Sequence, residues 1–244
     1  MSYFITGTDT GVGKTLISCA LLHTFAAQGK RVAGFKPVAA GWSLRSSGAP
    51  TAVPLAGTAD YLDFGHNDDA EALRAASTMR LSYGQVNPYC FRDAIAPHLA
   101  ARNEGVRIEF PRILTAYREL AAHCDVVIVE GAGGFLVPLN DTQDGGDLAI
   151  QLGLPIILVV GMRLGCLNHA LLTVETIAAR GLTLAAWVAN VVDADMDALQ
   201  ENIEALRERI AAPLLGIVPY MAEPDARVAA ELLNLDCLEP FYKK

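Results

Sequence analysis

The sequence predicts an α/β protein with a mostly parallel sheet and helices on both faces, and three features predict it. Short β-branched runs alternate with helix-length amphipathic segments, the order of repeated βα units. The strand-like runs are nearly continuous in apolar residues, as strands covered on both sides are. The first of them passes through a glycine-rich turn, GTDTGVGKT, directly into a helix.

In chain order, strands are expected near Tyr3 to Thr6, Arg31 to Lys36, Val126 to Glu130, Ile156 to Val160, Leu184 to Asn190 and Leu214 to Val218. Helices are expected over Lys14 to Ala27, Asp69 to Ala76, Pro111 to His123, Cys166 to Ala179, Met196 to Ile210 and Asp225 to Leu233. The stretch from Trp42 to His66, rich in Gly, Ser, Ala and Pro, has neither period and reads as a long flexible surface loop. With 244 residues and 52% hydrophobic residues, residues 1–244 suit one domain with a large core.

Composition narrows the function. A formal charge of −8 argues against a nonspecific nucleic-acid surface, so any anionic ligand must be held by a few local donors. The longest apolar stretch, Leu152 to Met162, falls short of the roughly 18 residues of a membrane span. The N-terminus enters a strand without the basic head and apolar run of a secretory leader, so a cytoplasmic protein is expected. Cys19, Cys90, Cys124, Cys166 and Cys237 are scattered without metal-ligand spacing and are expected to be reduced.

Gly7 to Thr15 closes as a Walker motif, although five residues rather than four separate Gly7 from Gly13. In such a loop backbone amides and the positive end of the following helix face the phosphates of a nucleotide. Lys14 then reaches the β and γ phosphates and Thr15 ligates Mg²⁺. Mg²⁺ takes one or two carboxylates besides phosphate and water. Glu130 is the first candidate, because the apolar run VVIVEGAGG delivers it to the edge of the sheet and its glycines admit phosphate. Asp69 opens a short helix in HNDDAEAL, and its local pattern suits an N-cap or first-turn role as well as metal ligation.

Taken together, GTDTGVGKT, FKPVAAG, NDDAEAL, VNPYCF, APH, VEGAGG, LGCLNHALLT, WVANVV and PLLGIVPY resemble the dethiobiotin synthetase family in order and spacing over most of the chain. The resemblance implies a P-loop NTPase-like fold with a seven-stranded sheet, and a homodimer with active sites near the subunit interface. It implies an ATP-dependent carboxylation in which 7,8-diaminopelargonate takes up CO₂ (from bicarbonate) as a carbamate. The carbamate receives the γ-phosphoryl group of ATP, and the second amine closes the ring of dethiobiotin.

By the same resemblance, Lys14, Lys36 and Thr10 form the catalytic group. Thr15, Asp69 and Glu130 form the Mg²⁺ shell. ATP is held by Asp9, Thr10, Gly11, Val12, Gly13, Lys14, Thr15, Glu130, Gly133, Asn190, Pro219 and Tyr220, with Asn190 reading the purine edge. The diamine meets Lys36 and Ala40, and its carboxylate meets Gly165, Cys166, Leu167 and Asn168 at a helix start contributed by the partner subunit. From pattern alone, Lys36 also fits a solvated strand-end lysine, Asn168 a helix-terminal hydrogen-bonder, Asn190 a turn residue and His98 an ordinary packing residue.

Two positions depart from the family pattern. Ala40 stands where serine is common, and Gly11 where a side chain is common. Arg163, before the LGC turn, reads as a charge at the dimer edge. Rival functions are a P-loop amidotransferase-type synthetase, for which the chain has no room for a glutaminase domain, and a partitioning-type nucleotide switch, against which the acidic charge and Asp9 both count.

Overall fold

In the computed structural model, which describes residues 1–42 and 65–241, strand β1 (Ser2–Gly7) lies inside a parallel sheet because the chain returns to both its sides. Helix α1 (Lys14–Ala27) carries the chain to β2 (Val32–Phe35) and then the short β3 (Val38–Ala40). Next come α2 (Asp68–Ala76), α3 (Tyr83–Val86), β4 (Tyr89–Phe91), α4 (Pro97–Asn103) and α5 (Phe110–Ala121). Strand β5 (Val126–Gly134) then inserts between β1 and β2. Helix α6 (Gly145–Leu152), β6 (Ile156–Met162), α7 (Cys166–Ala179), β7 (Leu184–Val191), α8 (Leu199–Arg209) and β8 (Leu214–Val218) extend the sheet the other way. Helix α9 (Ala226–Glu231) and a 3₁₀ turn over Leu235–Phe241 follow.

The order is β2-β5-β1-β6-β7-β8, and every pairing is parallel. Among the described residues the main sheet thus has six strands, one fewer than the seven implied by the resemblance, and β3 and β4 form a separate parallel pair. Alternation along the central strands shows why their sequences are apolar throughout. Ile157 and Val159 of β6, with Ala186 and Val188 of β7, face one core, whereas Leu158, Val160, Met162, Trp187 and Ala189 face a second core with α7 and α8. Trp187 is completely buried there, and burial of a large apolar side chain stabilises the fold by about 2–3 kcal/mol.

Helix boundaries follow their punctuation. Gly13 and Gly165, in left-handed conformation, stand just before α1 and α7, which cover the ranges expected for them. The expected Met196 helix begins only at Leu199, after Ala198 in a left-handed conformation (φ 52°) that interrupts the helical path. Helices α3, α4 and α6 and strands β3 and β4 were not expected. They are short, and α6 opens on Gly145 and Gly146, poor helix formers compensated by a capping box between Asp144 and Asp147. The stretch expected as a loop after Trp42 lies outside the described residues up to Gly65. No described helix is long and apolar enough to cross a membrane.

Because all strands of the main sheet run the same way, their carboxyl ends share one edge, where sheets of this kind bind ligands. The loop after β1, Lys36 after β2, Glu130 in β5, Asn190 in β7 and Pro219 after β8 all belong to that edge.

Candidate active site

The loop from Gly7 to Gly13 is shaped by backbone that only glycine adopts without strain. Gly11 (φ 73°) and Gly13 (φ 88°) are both left-handed. The first of these suits glycine where the family often carries a side chain. A side chain at Gly13 would also drive into the Asn190 amide, which donates from Nδ2 to the carbonyl of Val12 at 2.9 Å. Asn190, 4% exposed, therefore braces the back of the loop. Val12 in turn packs against Gly161, where a Cβ would lie 2.6 Å from Val12 Cγ1. Loop, β6 and β7 are thus fitted together.

Lys14, the first residue of α1, turns back over the loop and donates from Nζ to the carbonyl of Asp9 at 2.9 Å. Burial, with a smaller contribution from the neighbouring Lys36 ammonium, pushes its pKa from 10.5 down to about 8. The two ammonium groups repel each other, and Glu130, Asp69 and Asp9 offset part of that repulsion at Lys14. The arrangement favours any anion that enters between them.

Behind the loop is a charge cluster, buried at Lys36 and Glu130 and half-exposed at Asp69. Lys36 follows β2, is 4% exposed, and donates from Nζ to Glu130 Oε1 at 2.6 Å and to Asp69 Oδ2 at 3.1 Å. Thr15 Oγ1 donates to the same Glu130 Oε1 at 2.9 Å. Burial alone would lower the Lys36 pKa, but Glu130 and Asp69 outweigh it and hold the ammonium above its ordinary value. Burial likewise pushes the Asp69 carboxyl up, and Lys36, Thr15 and Lys14 more than offset it, leaving the pKa below the usual range.

Asp69 reaches this cluster from the first turn of α2, whose N-cap is Asn67, its side chain accepting from the Ala70 amide. Asp69 is thus a first-turn acid, as one of its two local readings has it, and the helix aims it at Lys36. Glu130 is fully buried, and its Oε2 has no hydrogen-bond partner among the described residues. A buried carboxylate oxygen without a partner is costly and suits a cation. Two carboxylates and a hydroxyl fit a hard divalent ion such as Mg²⁺, whose remaining ligands are phosphate and water.

Other expected residues fall around this centre. Gly133 has φ 60°, and a Cβ there would lie 2.7 Å from Val137 Cγ2 and 3.5 Å from Thr10 Oγ1, which places the β5 glycines against the loop. Thr10 is exposed, and its amide donates to Asp9 Oδ1 at 2.7 Å. Pro219 and the half-exposed Tyr220 follow β8 on the same edge. Ala40 ends β3 opposite Phe91.

The segment Gly165 to Asn168 stands apart, with no hydrogen bond to Lys36, Asp69 or Glu130 among the described residues. Gly165 (φ 93°) precedes α7 without a side-chain cap, and Asn168 is exposed in its open first turn. Cys166 is turned inward: burial raises its thiol pKa, and its amide already donates to the Arg163 carbonyl at 3.0 Å. Gly165 and Asn168 are exposed and Leu167 is partly so.

Two contributors escaped the sequence reading. Asn87, in the VNPYCF run, is 1% exposed and donates from Nδ2 to the carbonyls of Lys36 (2.6 Å) and Tyr89 (2.9 Å), fixing the backbone that presents Lys36. The signal was its place before Pro88, where an amide side chain commonly ties a turn. Arg163, read as a dimer-edge charge, pairs with Asp9 of the loop within the same chain, a contact the sequence did not announce.

Residues 1–227 match the family model described as an AAA domain. The ATP-dependent dethiobiotin synthetase of Aromatoleum aromaticum is 54% identical over 232 residues, 95% of this chain and 96% of that protein. The enzyme of the same name from Ralstonia nicotianae is 50% identical over 232 residues, covering 95% and 94%. Among solved structures, a chain of the MinC:MinD cell division protein complex of Aquifex aeolicus aligns over 100% of this chain and 96% of its own, with TM-score 0.53 at 14% identity. A ParA family ATPase from Chlorobium tepidum aligns over 100% and 93%, with TM-score 0.52 at 13% identity. At such low identity these two establish the likeness of fold alone.

Proposed function

Because the chain belongs to the ATP-dependent dethiobiotin synthetase family, we propose that it is the enzyme that closes the ring of dethiobiotin at the expense of ATP in biotin biosynthesis. The observation that carries this reading is the pairing of a glycine loop with two buried lysines, Lys14 and Lys36, beside a carboxylate pair. Phosphoryl transfer between anions depends on positioning and charge neutralisation, and this cluster supplies both.

In the proposed sequence, one amine of 7,8-diaminopelargonate takes up CO₂ as a carbamate. A carbamate oxygen attacks the γ-phosphorus of ATP while ADP leaves, forming a carbamic–phosphoric anhydride. The second amine then attacks the carbamate carbon, expelling phosphate and closing the cyclic urea. Lys14 holds the β and γ phosphates from the loop side, and Lys36 stands between carbamate and γ-phosphate. Thr15, Asp69 and Glu130 would hold Mg²⁺, which supplies countercharge to the phosphates. Asn190, Pro219 and Tyr220 line the purine, and Thr10, Gly11 and Gly133 face the phosphates.

A homodimer explains the isolation of Gly165 to Asn168 from the charge cluster: in this reading the turn receives the carboxylate of a diamine bound at the partner's loop. Mixed dimers of Asn168→Ala and Lys14→Ala chains should then recover part of the activity that each parent lacks, since one of their two sites is intact. Heterodimers as inactive as both parents contradict the shared site. A cytoplasmic location and a single domain over residues 1–244 belong to the same proposal.

The direct test is conversion of diaminopelargonate, bicarbonate and MgATP to dethiobiotin by the purified protein. ATP hydrolysis at one rate with and without the diamine is the contrary result.

A further inference from the structure

The loop carries a negative charge where a phosphate is expected. Asp9 lies between Thr8 and Thr10, and a free carboxylate there would repel the nucleotide. The structure shows how that charge is held. Asp9 Oδ1 accepts from the Thr10 amide at 2.7 Å, and Oδ2 is paired with Arg163 Nη2. The carbonyl of the same Asp9 accepts from Lys14 Nζ at 2.9 Å. Fixing the Asp9 side chain therefore also fixes the peptide that orients Lys14.

Arg163 is well placed for this because it leaves β6 beside the loop. The Thr8 amide donates to Val159 of β6 at 3.0 Å, and Thr8 Oγ1 accepts from the Gly161 amide at 3.3 Å. The Arg163 carbonyl accepts from the Cys166 amide at 3.0 Å, so the backbone of the same residue shapes the first turn of α7. Side-chain exposures of 41% for Arg163 and 47% for Asp9 make the pair a minor contributor to folding, so its geometry calls for a different explanation.

We propose that Arg163 is a positioning residue of the phosphate loop: through Asp9 it neutralises the loop carboxylate and sets the Asp9–Thr10 peptide against which Lys14 is aligned. The inference rests on the reading of the loop as a nucleotide site. It assigns Arg163 to ATP rather than to the diamine or to a subunit edge.

The test is titration of a non-hydrolysable ATP analogue with Mg²⁺, by calorimetry, into wild type, Arg163→Ala, Arg163→Lys, Asp9→Asn and the Arg163→Ala/Asp9→Asn double variant. Steady-state KM values for ATP and for the diamine are measured alongside. Arg163→Ala should bind the analogue about tenfold more weakly, on the order of one lost charge-assisted hydrogen bond. Arg163→Lys should recover part of that loss. In the Asp9→Asn background, removing Arg163 should cost less than about twofold, because no carboxylate is left to neutralise. The KM for ATP should rise and that for the diamine should stay.

Unchanged affinity in Arg163→Ala, the same loss with or without Asp9, or a change confined to the diamine KM each overturns the proposal. A wild-type protein that binds no analogue overturns the nucleotide reading itself, a separate failure. Should Arg163→Ala fold poorly by circular dichroism, Arg163→Gln carries the same expectations.

Discussion

Replacing Lys36 with methionine is the sharpest perturbation of the charge cluster, because it keeps the bulk of the side chain and deletes only the charge. In the wild-type protein the ammonium sits 2.6 Å from Glu130 Oε1 and 3.1 Å from Asp69 Oδ2. Without it Glu130, fully buried, keeps the Thr15 hydroxyl as its remaining donor among the described residues, while Oε2 already lacks a partner. Breaking a buried ion pair from one side costs about 3–5 kcal/mol, since the surviving charge stays desolvated. For a chain of this length that is a fall in Tm of roughly 10 °C.

Two further consequences follow from the same geometry. Lys36→Met/Glu130→Gln should be more stable than Lys36→Met alone, because the uncompensated charge is gone. Millimolar MgCl₂ should raise the Tm of Lys36→Met more than that of wild type, because the ammonium and the metal ion compete for the same carboxylates. The assay is thermal and urea unfolding with EDTA or with MgCl₂, without nucleotide. A loss below about 1 kcal/mol in Lys36→Met, or equal responses of both proteins to magnesium, refutes the view that Lys36 neutralises the buried Glu130 carboxylate where a cation would otherwise sit.

Lys14→Ala should lower kcat by at least about a hundredfold, the scale of one preorganised donor, and near wild-type turnover would remove Lys14 from the catalytic set. Its pKa, lowered to about 8, predicts a pH effect. The ammonium that binds phosphate is present below that value and is lost above it, so affinity for a non-hydrolysable ATP analogue should fall as pH rises from 8 to 10, with proton uptake on binding. Stability without nucleotide should change the other way: the unfolded chain holds this proton up to about 10.5, so the Lys14 contribution rises with pH across the same interval. Calorimetry in buffers of different ionisation heat reads the uptake, and pH-independent affinity contradicts it. Asn87→Ala should destabilise the fold by about 2 kcal/mol and lower kcat, because the carbonyls of Lys36 and Tyr89 lose their shared donor; urea unfolding without loss of stability counts against that role.

Much of this fold is written in local chemistry. Gly13 and Gly165 punctuate α1 and α7 so sharply that both helices run as the sequence predicts, and the strands announce themselves by β-branched runs. What escaped depends on partners distant in the chain. Strands β3 and β4 are three-residue segments that exist by pairing with each other; α6 is the exception, a helix hidden by its two opening glycines although the capping box that compensates them is local. The same division holds for the site. Lys14, Thr15 and Glu130 are marked by motif and by the strand that delivers Glu130. The bond from Asn87 to Lys36 spans 51 positions and that from Arg163 to Asp9 spans 154, and no local pattern announces either.

The central claim, that Lys14 and Lys36 steer the γ-phosphoryl group of ATP onto a carbamate oxygen, is tested most directly by following that oxygen. In a rapid single turnover with ¹⁸O-labelled CO₂, diaminopelargonate and MgATP, the released phosphate should carry one ¹⁸O atom, the oxygen expelled when the ring closes. Unlabelled phosphate released together with dethiobiotin would contradict the account.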